Sequence, residues 1–202
     1  MSLLYEKIIR PLLFKLEAER AHQIAAFSMR ILGKASPLRG LAAYYCQTKS
    51  SPVRLFGLDF PNPVGLAAGM DKNGEFIQSA FALGFGHVEI GTITPQRQLG
   101  NTRPRLFRYP SVSGIVNRMG FNNDGAEIVA DRIKRNYPKG KRHAPLGINI
   151  GKAKTTDLDQ AAEDYITCFN IVAEHADYIA INISSPNTRS LRTLQKPDRL
   201  EP

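Results

Sequence analysis

Four short apolar runs constrain this 202-residue chain more than any other feature: each closes on small or polar residues, and helical stretches separate them. The first, Val64–Ala68, closes on Ala68-Gly69, and the second, His87–Thr92, on Gly91-Thr92. The third, Leu146–Ile150, contains Asn149, and the fourth, Tyr178–Ile183, runs into Asn182-Ile183-Ser184-Ser185-Pro186-Asn187. Helical periodicity falls between them, over about 75–83, 124–136 and 157–175. Short apolar strands joined through helices form parallel βα units buried on both faces. Polar groups at the C-terminal strand ends mark the ligand side of a (β/α)8 barrel, and equally of a doubly wound sheet. Periodicity leaves both open. A whole barrel takes about 250 residues, so four strands amount to half of one.

The segment before these runs has another character. Leu4, Tyr5, Ile8, Ile9, Leu12, Leu13 and Leu16 recur at three- and four-residue spacings, which predicts an amphipathic helix over 3–17, with Pro11 as a kink or helix start. A second helix is expected over 18–32, stopped by Gly33, then a linker over 36–51 and a small hairpin over 53–63 around Gly57. Of the net charge of +9, more than half comes from residues 1–49, where Lys7, Arg10, Lys15, Arg20, Arg30, Lys34, Arg39 and Lys49 face only Glu6, Glu17 and Glu19. A basic amphipathic helix pair is either a lid on a globular core or a segment lying in a membrane interface. No window approaches the roughly 18 apolar residues that span a bilayer. Glu6, Lys7 and Arg10 interrupt any signal-peptide pattern, so Cys46 and Cys168 are expected as reduced thiols.

Several residues carry possible chemistry. The loop Gly65–Gly74 is glycine-rich and holds Lys72, but it matches neither the Walker nor the GxGxxG pattern. The glycines alone fit a tight turn; a lysine at a strand exit can hold an anion or stabilise an electron-rich ring. Asn73, Asn122 and Asn123 fit turns and caps. Asn149 and Asn182 fit that reading poorly, because both lie within apolar strands, and a carboxamide suits a planar ligand bearing amides and carbonyls. Ser185 has no histidine placed to form a triad, and His22 reads as a surface or packing residue. The 134–142 stretch reads as a solvated basic face; no nucleic-acid motif and no Cys/His metal spacing is present.

Longer motifs then fall into one pattern: Asn62-Pro-Val-Gly-Leu-Ala-Ala-Gly-Met-Asp-Lys-Asn-Gly74, Gly84-Phe-Gly-His-Val-Glu-Ile-Gly-Thr-Ile-Thr-Pro95, Pro104-Arg-Leu-Phe-Arg108, Asn117-Arg-Met-Gly-Phe-Asn-Asn123, Gly147-Ile-Asn-Ile-Gly-Lys152 and Asn182-Ile-Ser-Ser-Pro-Asn-Thr188. From about Glu19-Arg20-Ala21-His22 to Leu194-Gln195 the chain resembles the dihydroorotate dehydrogenases of the membrane-linked, quinone-reducing class. The resemblance implies an FMN-bearing (β/α)8 TIM barrel that oxidises dihydroorotate to orotate in pyrimidine synthesis. It makes Ser185 the base that removes the C5 proton, a serine where the soluble class has cysteine, with Thr188 and Phe121 tuning and shielding its proton path. It makes Lys72, Asn117, Asn182 and Asn187 substrate ligands. Ala68, Gly69, Thr92 and Asn149 become FMN contacts, with Lys72 and Asn182 also near the flavin. His22 and Arg108 become residues of a quinone tunnel whose mouth is the helix pair.

The expected organisation is therefore a helical membrane and quinone-access segment with its linker over 1–49, and the first four βα units of the barrel over 50–202. The second half of the barrel, where the family keeps its phosphate cradle, is expected in another chain or another part of a longer polypeptide. The rival reading is an inactive half-barrel that keeps only a membrane- or quinone-binding helical module; another is a flavin barrel acting on a different cyclic amide. The expected place is the cytoplasmic face of a bacterial inner membrane rather than a mitochondrial one, since no transit peptide precedes the first helix. One departure stands out: where the family continues Pro-Gly-Leu-Arg after Thr188, this chain has Arg189-Ser190-Leu191-Arg192, and losing Gly removes easy access to left-handed backbone angles.

Overall fold

The structure, a computed structural model, describes residues 2–47, 51–188 and 190–197. Arg189, half of the departure noted above, lies outside the described residues.

A four-stranded parallel sheet forms the centre: β3 (Gly65–Leu66), β4 (His87–Ile93), β7 (Leu146–Ile150) and β8 (Tyr178–Ile181), in that order. Each expected strand is present, and the order follows the chain, as successive βα units of a barrel wall require. Helices α5 (Ile77–Ala82), α6 (Ala126–Asn136) and α7 (Ala161–Val172) occupy the crossovers. Val88, Ile90 and Ile93 of β4 and Leu146, Ile148 and Ile150 of β7 are fully buried, packed with Ile77, Val129, Ile133 and Val172 of the helices. Burying each such side chain contributes about 1.5–3 kcal/mol, so these two central strands anchor the domain. β8 is only half-buried, which departs from the expectation that every strand is covered on both faces.

The helix expected over 157–175 is interrupted. A 3-10 turn at Leu158–Gln160 leads into α7 and another at Ala173–His175 leaves it. The excursion over 93–121 contains an antiparallel hairpin, β5 (Leu106–Tyr109) and β6 (Gly114–Asn117), that periodicity did not reveal. The smaller hairpin, β1 (Val53–Leu55) and β2 (Leu58–Phe60), is as expected, turning through Phe56 and Gly57, both at positive φ.

The N-terminal helix comprises α1 (Ser2–Leu4), a π turn at Tyr5–Ile9 and α2 (Arg10–Phe14). Pro11 is accommodated in the first turn of α2, directly after that π turn, where its missing N–H is least costly. α3 (Ala18–Lys34) runs past Gly33, so this glycine is no stop. It is a contact point: a Cβ there would lie 2.9 Å from Ser79 Oγ, whose hydroxyl donates to the Met29 carbonyl. The expected linker is largely helix α4 (Ser36–Tyr45). Arg39 fastens it, donating to Gly33 O (2.6 Å) and Gln78 Oε1 (2.9 Å), and Arg30 pairs with Glu75 at 3.0 Å. The helical layer is thus bound to α5 and the loop before it.

The basic 134–142 stretch is not wholly solvated. The Arg142 side chain is only 5% exposed, paired with Asp177 at 2.8 Å, and it also donates to the Tyr137 and His175 carbonyls.

Candidate active site

The register of β4 against β7 slips at one point: Gly91 pairs with Asn149 and Ile93 with Ile150, leaving Thr92 as an extra residue. Such a bulge re-aims a side chain. Here the Thr92 hydroxyl donates to Asn149 Oδ1 at 2.6 Å, and Asn182 Nδ2 donates to Thr92 Oγ1 (2.9 Å) and to Asn149 Oδ1 (3.2 Å). Asn149 Nδ2 donates to Glu89 Oε1 at 2.9 Å, and Tyr178 donates its hydroxyl to Glu89 Oε2 at 3.3 Å. Three strand ends are therefore joined by one polar network, with Glu89 beneath it. Burial, then the adjacent Glu89 charge, pushes the Tyr178 phenol well above its usual value and keeps it a donor.

A cleft of about 750 Å3 opens above this network, over the C-terminal ends of β3, β4 and β8. Of the residues singled out from sequence, Ala68, Gly69, Lys72, Thr92, Asn117, Phe121, Asn182, Ser185 and Asn187 line it, and so do His22 and Arg108. Asn149 lies just below, reaching the cleft through Thr92 and Asn182. Thr188 is buried and lines no part of the cleft; its carbonyl accepts the Leu191 N–H at 3.3 Å. Ser190, standing where the family has glycine, adopts left-handed angles all the same (φ 57°, ψ 7°), at a cost of about 1 kcal/mol.

The walls are set by local hydrogen bonding. Gly69 N–H donates to Gly91 O (2.8 Å) and Gly91 N–H to Asp71 O (3.0 Å), which fixes the lysine loop on β4. The Asp71 carboxylate, 1% exposed, accepts the Glu75 N–H (2.9 Å) and the Phe76 N–H (3.0 Å). Its burial raises its pKa against those donors. Lys72 donates to the Gly69 carbonyl. Burial, then the charge of Arg105, lowers its pKa, while Glu19 and Asp71 oppose the fall. His22 is likewise lowered, by burial and then by Lys72. Ser185 Oγ accepts the Asn187 N–H at 3.2 Å, and Asn187 Nδ2 reaches the Asn117 carbonyl at 3.4 Å. Phe121, at φ 52°, packs its ring where a Cβ on Gly151 would stand 3.1 Å away. Arg108 donates to Leu13 O (3.2 Å) and Leu16 O (2.7 Å), capping α2, with its guanidinium 4.6 Å from the Phe14 ring centre.

The floor suits a flat ring edged with carbonyl and N–H groups. Gly69, at φ 105°, leaves open space where any side chain would begin, so a ring can approach the backbone closely. The Asn182 and Thr92 side chains offer both donors and acceptors beside it.

Two features escaped sequence reasoning. Asn123 makes the expected turn, its Oδ1 accepting Gly125 N two residues on (2.8 Å), and is also a buried staple: that Oδ1 accepts from Thr94 N (3.2 Å) and its Nδ2 donates to Thr94 Oγ1 (2.8 Å). Glu19 is 3% exposed and accepts from Arg105 Nη2 at 2.8 Å and Arg103 Nη2 at 3.1 Å. Burial alone would raise its carboxyl; the hydrogen bonds and charges of Arg105 and Arg103 outweigh that and hold it below the usual value. A lowered carboxyl gives stability that is full above the unfolded pKa and is lost as pH falls through the folded one. Unfolding free energy in urea should therefore drop on acidification below about pH 4.5, and drop less steeply in Glu19→Gln. Equal slopes would remove Glu19 from the acid response.

Comparison with known proteins follows the same lines. The family model described as dihydroorotate dehydrogenase matches residues 51–202. The chain is 50% identical over 192 residues to the dihydroorotate dehydrogenase (quinone) of Cellvibrio japonicus, covering 95% of this chain and 54% of that protein. It is 52% identical over 193 residues to that of Stenotrophomonas maltophilia, covering 96% and 53%. A crystal structure of DHODH from Eimeria tenella in complex with ferulenol superposes with a TM-score of 0.74 at 40% identity, over 90% of this chain and 48% of that one. The chain spans about half the length of the curated relatives it matches.

Proposed function

The chain belongs to the dihydroorotate dehydrogenase family, and from that premise we propose that it takes part in oxidising dihydroorotate to orotate, with FMN as hydride acceptor and a quinone as final electron acceptor. One observation carries the reading: Lys72, Asn117, Asn182, Ser185 and Asn187 share one cleft with the Gly69 and Thr92 floor. FMN would lie on Ala68, Gly69, Thr92, Asn149 and Asn182, and when bound it supplies the acceptor for the hydride leaving C6.

The chain's own residues do the rest. Lys72 offers its ammonium to the substrate carboxylate, and Asn117, Asn182 and Asn187 offer carboxamides to the ring amides. Ser185 takes the C5 proton onto its oxygen as its own hydroxyl proton passes to a single water beside it, and Phe121 keeps bulk water from that exchange. Thr188 is the next group on the family's proton path, and on this reading it relays the proton when the loop after Ser185 turns it toward the cleft.

His22 and Arg108 would meet the quinone where the cleft opens between α2 and α3. Leu3, Leu4, Ile8 and Leu12 of the N-terminal helix and Phe27 of α3 are each more than half exposed, beside Lys7, Arg10 and Lys15. Among the described residues no helix is long and apolar enough to cross a membrane. The helices would instead lie in an anionic membrane surface with the cleft mouth toward the lipid, on the cytoplasmic side of a bacterial inner membrane. Leu3→Asp/Ile8→Asp should cut co-sedimentation with anionic vesicles at least tenfold; unchanged sedimentation would reject this placement. β3 and β8 end the sheet, and the second half of the barrel would pair with them.

The deciding experiment uses the polypeptide as its own cells make it. Its flavin absorbance should bleach on dihydroorotate and recover on adding a quinone. Bleaching by a related dihydropyrimidine but not by dihydroorotate would assign another substrate, and vesicle binding without any flavin would favour the inactive helical module.

A further inference from the structure

Glu19 stands where the resemblance begins, and neither the proton path nor the ring contacts use it. It reaches Arg105 across 86 residues of sequence, by Nε (3.2 Å to each carboxylate oxygen) and by Nη2 (2.8 Å). Glu19, His22, Lys72, Arg103 and Arg105 all line a second, smaller chamber of about 170 Å3 between α3 and the lysine loop. Lys72 and His22 belong to both this chamber and the main cleft. The lysine therefore lines both the proposed substrate cleft and the chamber that holds the buried Glu19–Arg105 pair.

We propose that Glu19 is a positioning residue for Lys72: its buried carboxylate offsets the guanidinium charges that would otherwise face the ammonium across the chamber. Arg105 is held rigidly, since its Nη1 also donates to Leu99 O (2.5 Å) and Asn101 O (3.1 Å), so it has no freedom to swing away. The other charged groups around Lys72 are His22 and Arg30 from α3, Asp71 and Glu75 from its own loop, and Arg103. Arg30 and Glu75 are already paired with each other. The opposing effects of Arg105 and Glu19 on the lysine agree in sign with this arrangement. The inference deepens the proposed substrate subsite and rests on that reading only for its consequence for orotate.

The test measures Lys72 directly, by trace acetylation across a pH series with peptide mass spectrometry, in the polypeptide as its own cells make it. Glu19→Gln should move the Lys72 titration midpoint down by about one pH unit, a roughly tenfold faster labelling at fixed lower pH. Arg105→Gln should move it up, and the double variant should return it close to wild type. Should Glu19→Gln fail to fold, the upward shift in Arg105→Gln decides. An unmoved midpoint in every folded variant, or a double variant that keeps the Glu19→Gln shift, overturns the proposal. Orotate affinity, measured alongside, should weaken about tenfold near the alkaline limb in Glu19→Gln and recover in the double variant. If wild type binds no orotate while the midpoints shift as stated, the substrate reading fails and the positioning role stands.

Discussion

With Ser185 replaced by alanine, dihydroorotate should reduce the bound flavin about a hundred- to ten-thousand-fold more slowly, the range that loss of a positioned general base produces. The flavin itself should stay bound. Ser185 lines the cleft wall, whereas the proposed ring contacts come from the Gly69 backbone, Thr92 and Asn182. The substitution removes an acceptor from the Asn187 N–H, which is half-exposed and can turn to water. The loss should therefore fall on the rate and little on stability. Stopped-flow absorbance measures the rate, and the flavin content of the purified variant checks retention. Reduction at the wild-type rate would take the base assignment away from Ser185.

Gly91→Ala should destabilise the fold by about 3 kcal/mol or more. The new Cβ would stand 2.4 Å from the Asn149 carbonyl oxygen and 3.1 Å from Ile93 N, both backbone atoms of the two central strands. The residue also holds φ at 112°, where an L side chain is strained. The clash is relieved only by parting β4 from β7, which would undo the Thr92 bulge and its hydrogen bonds to Asn149 and Asn182. Gly69→Ala is the matched comparison. Its φ is 105°, but nothing lies within 4 Å of the added Cβ, so it should cost only about 1–2 kcal/mol. Urea unfolding of the two variants separates strain from collision. Equal midpoints would mean that the close approach at Gly91 is not what holds the bulge.

The four parallel strands and the helices between them were legible because each is a local pattern: an apolar run of strand length, then a periodic stretch. The polar strand ends were legible for the same reason, since Asn149 and Asn182 interrupt otherwise apolar runs. Helix α4 was missed because Ser36, Pro37 and Gly40 look like linker residues, while its stability comes from Arg39 and its packing on α5. The β5–β6 hairpin was missed because its residues are only partly buried and show little alternation. Gly33 was read as a helix stop; its real constraint is a neighbour 46 positions away, Ser79.

By itself the sequence determined the four parallel strands, the helices between them and which side chains stand at the strand ends, because these follow from the spacing of neighbours along the chain. Only the tertiary structure decided that Thr92 is a bulged residue aimed at Asn149, that Glu19 closes on Arg105, and that the Arg142 side chain pairs with Asp177. A buried polar group must find a partner wherever the fold brings one, and the distance along the chain to that partner leaves no periodic mark.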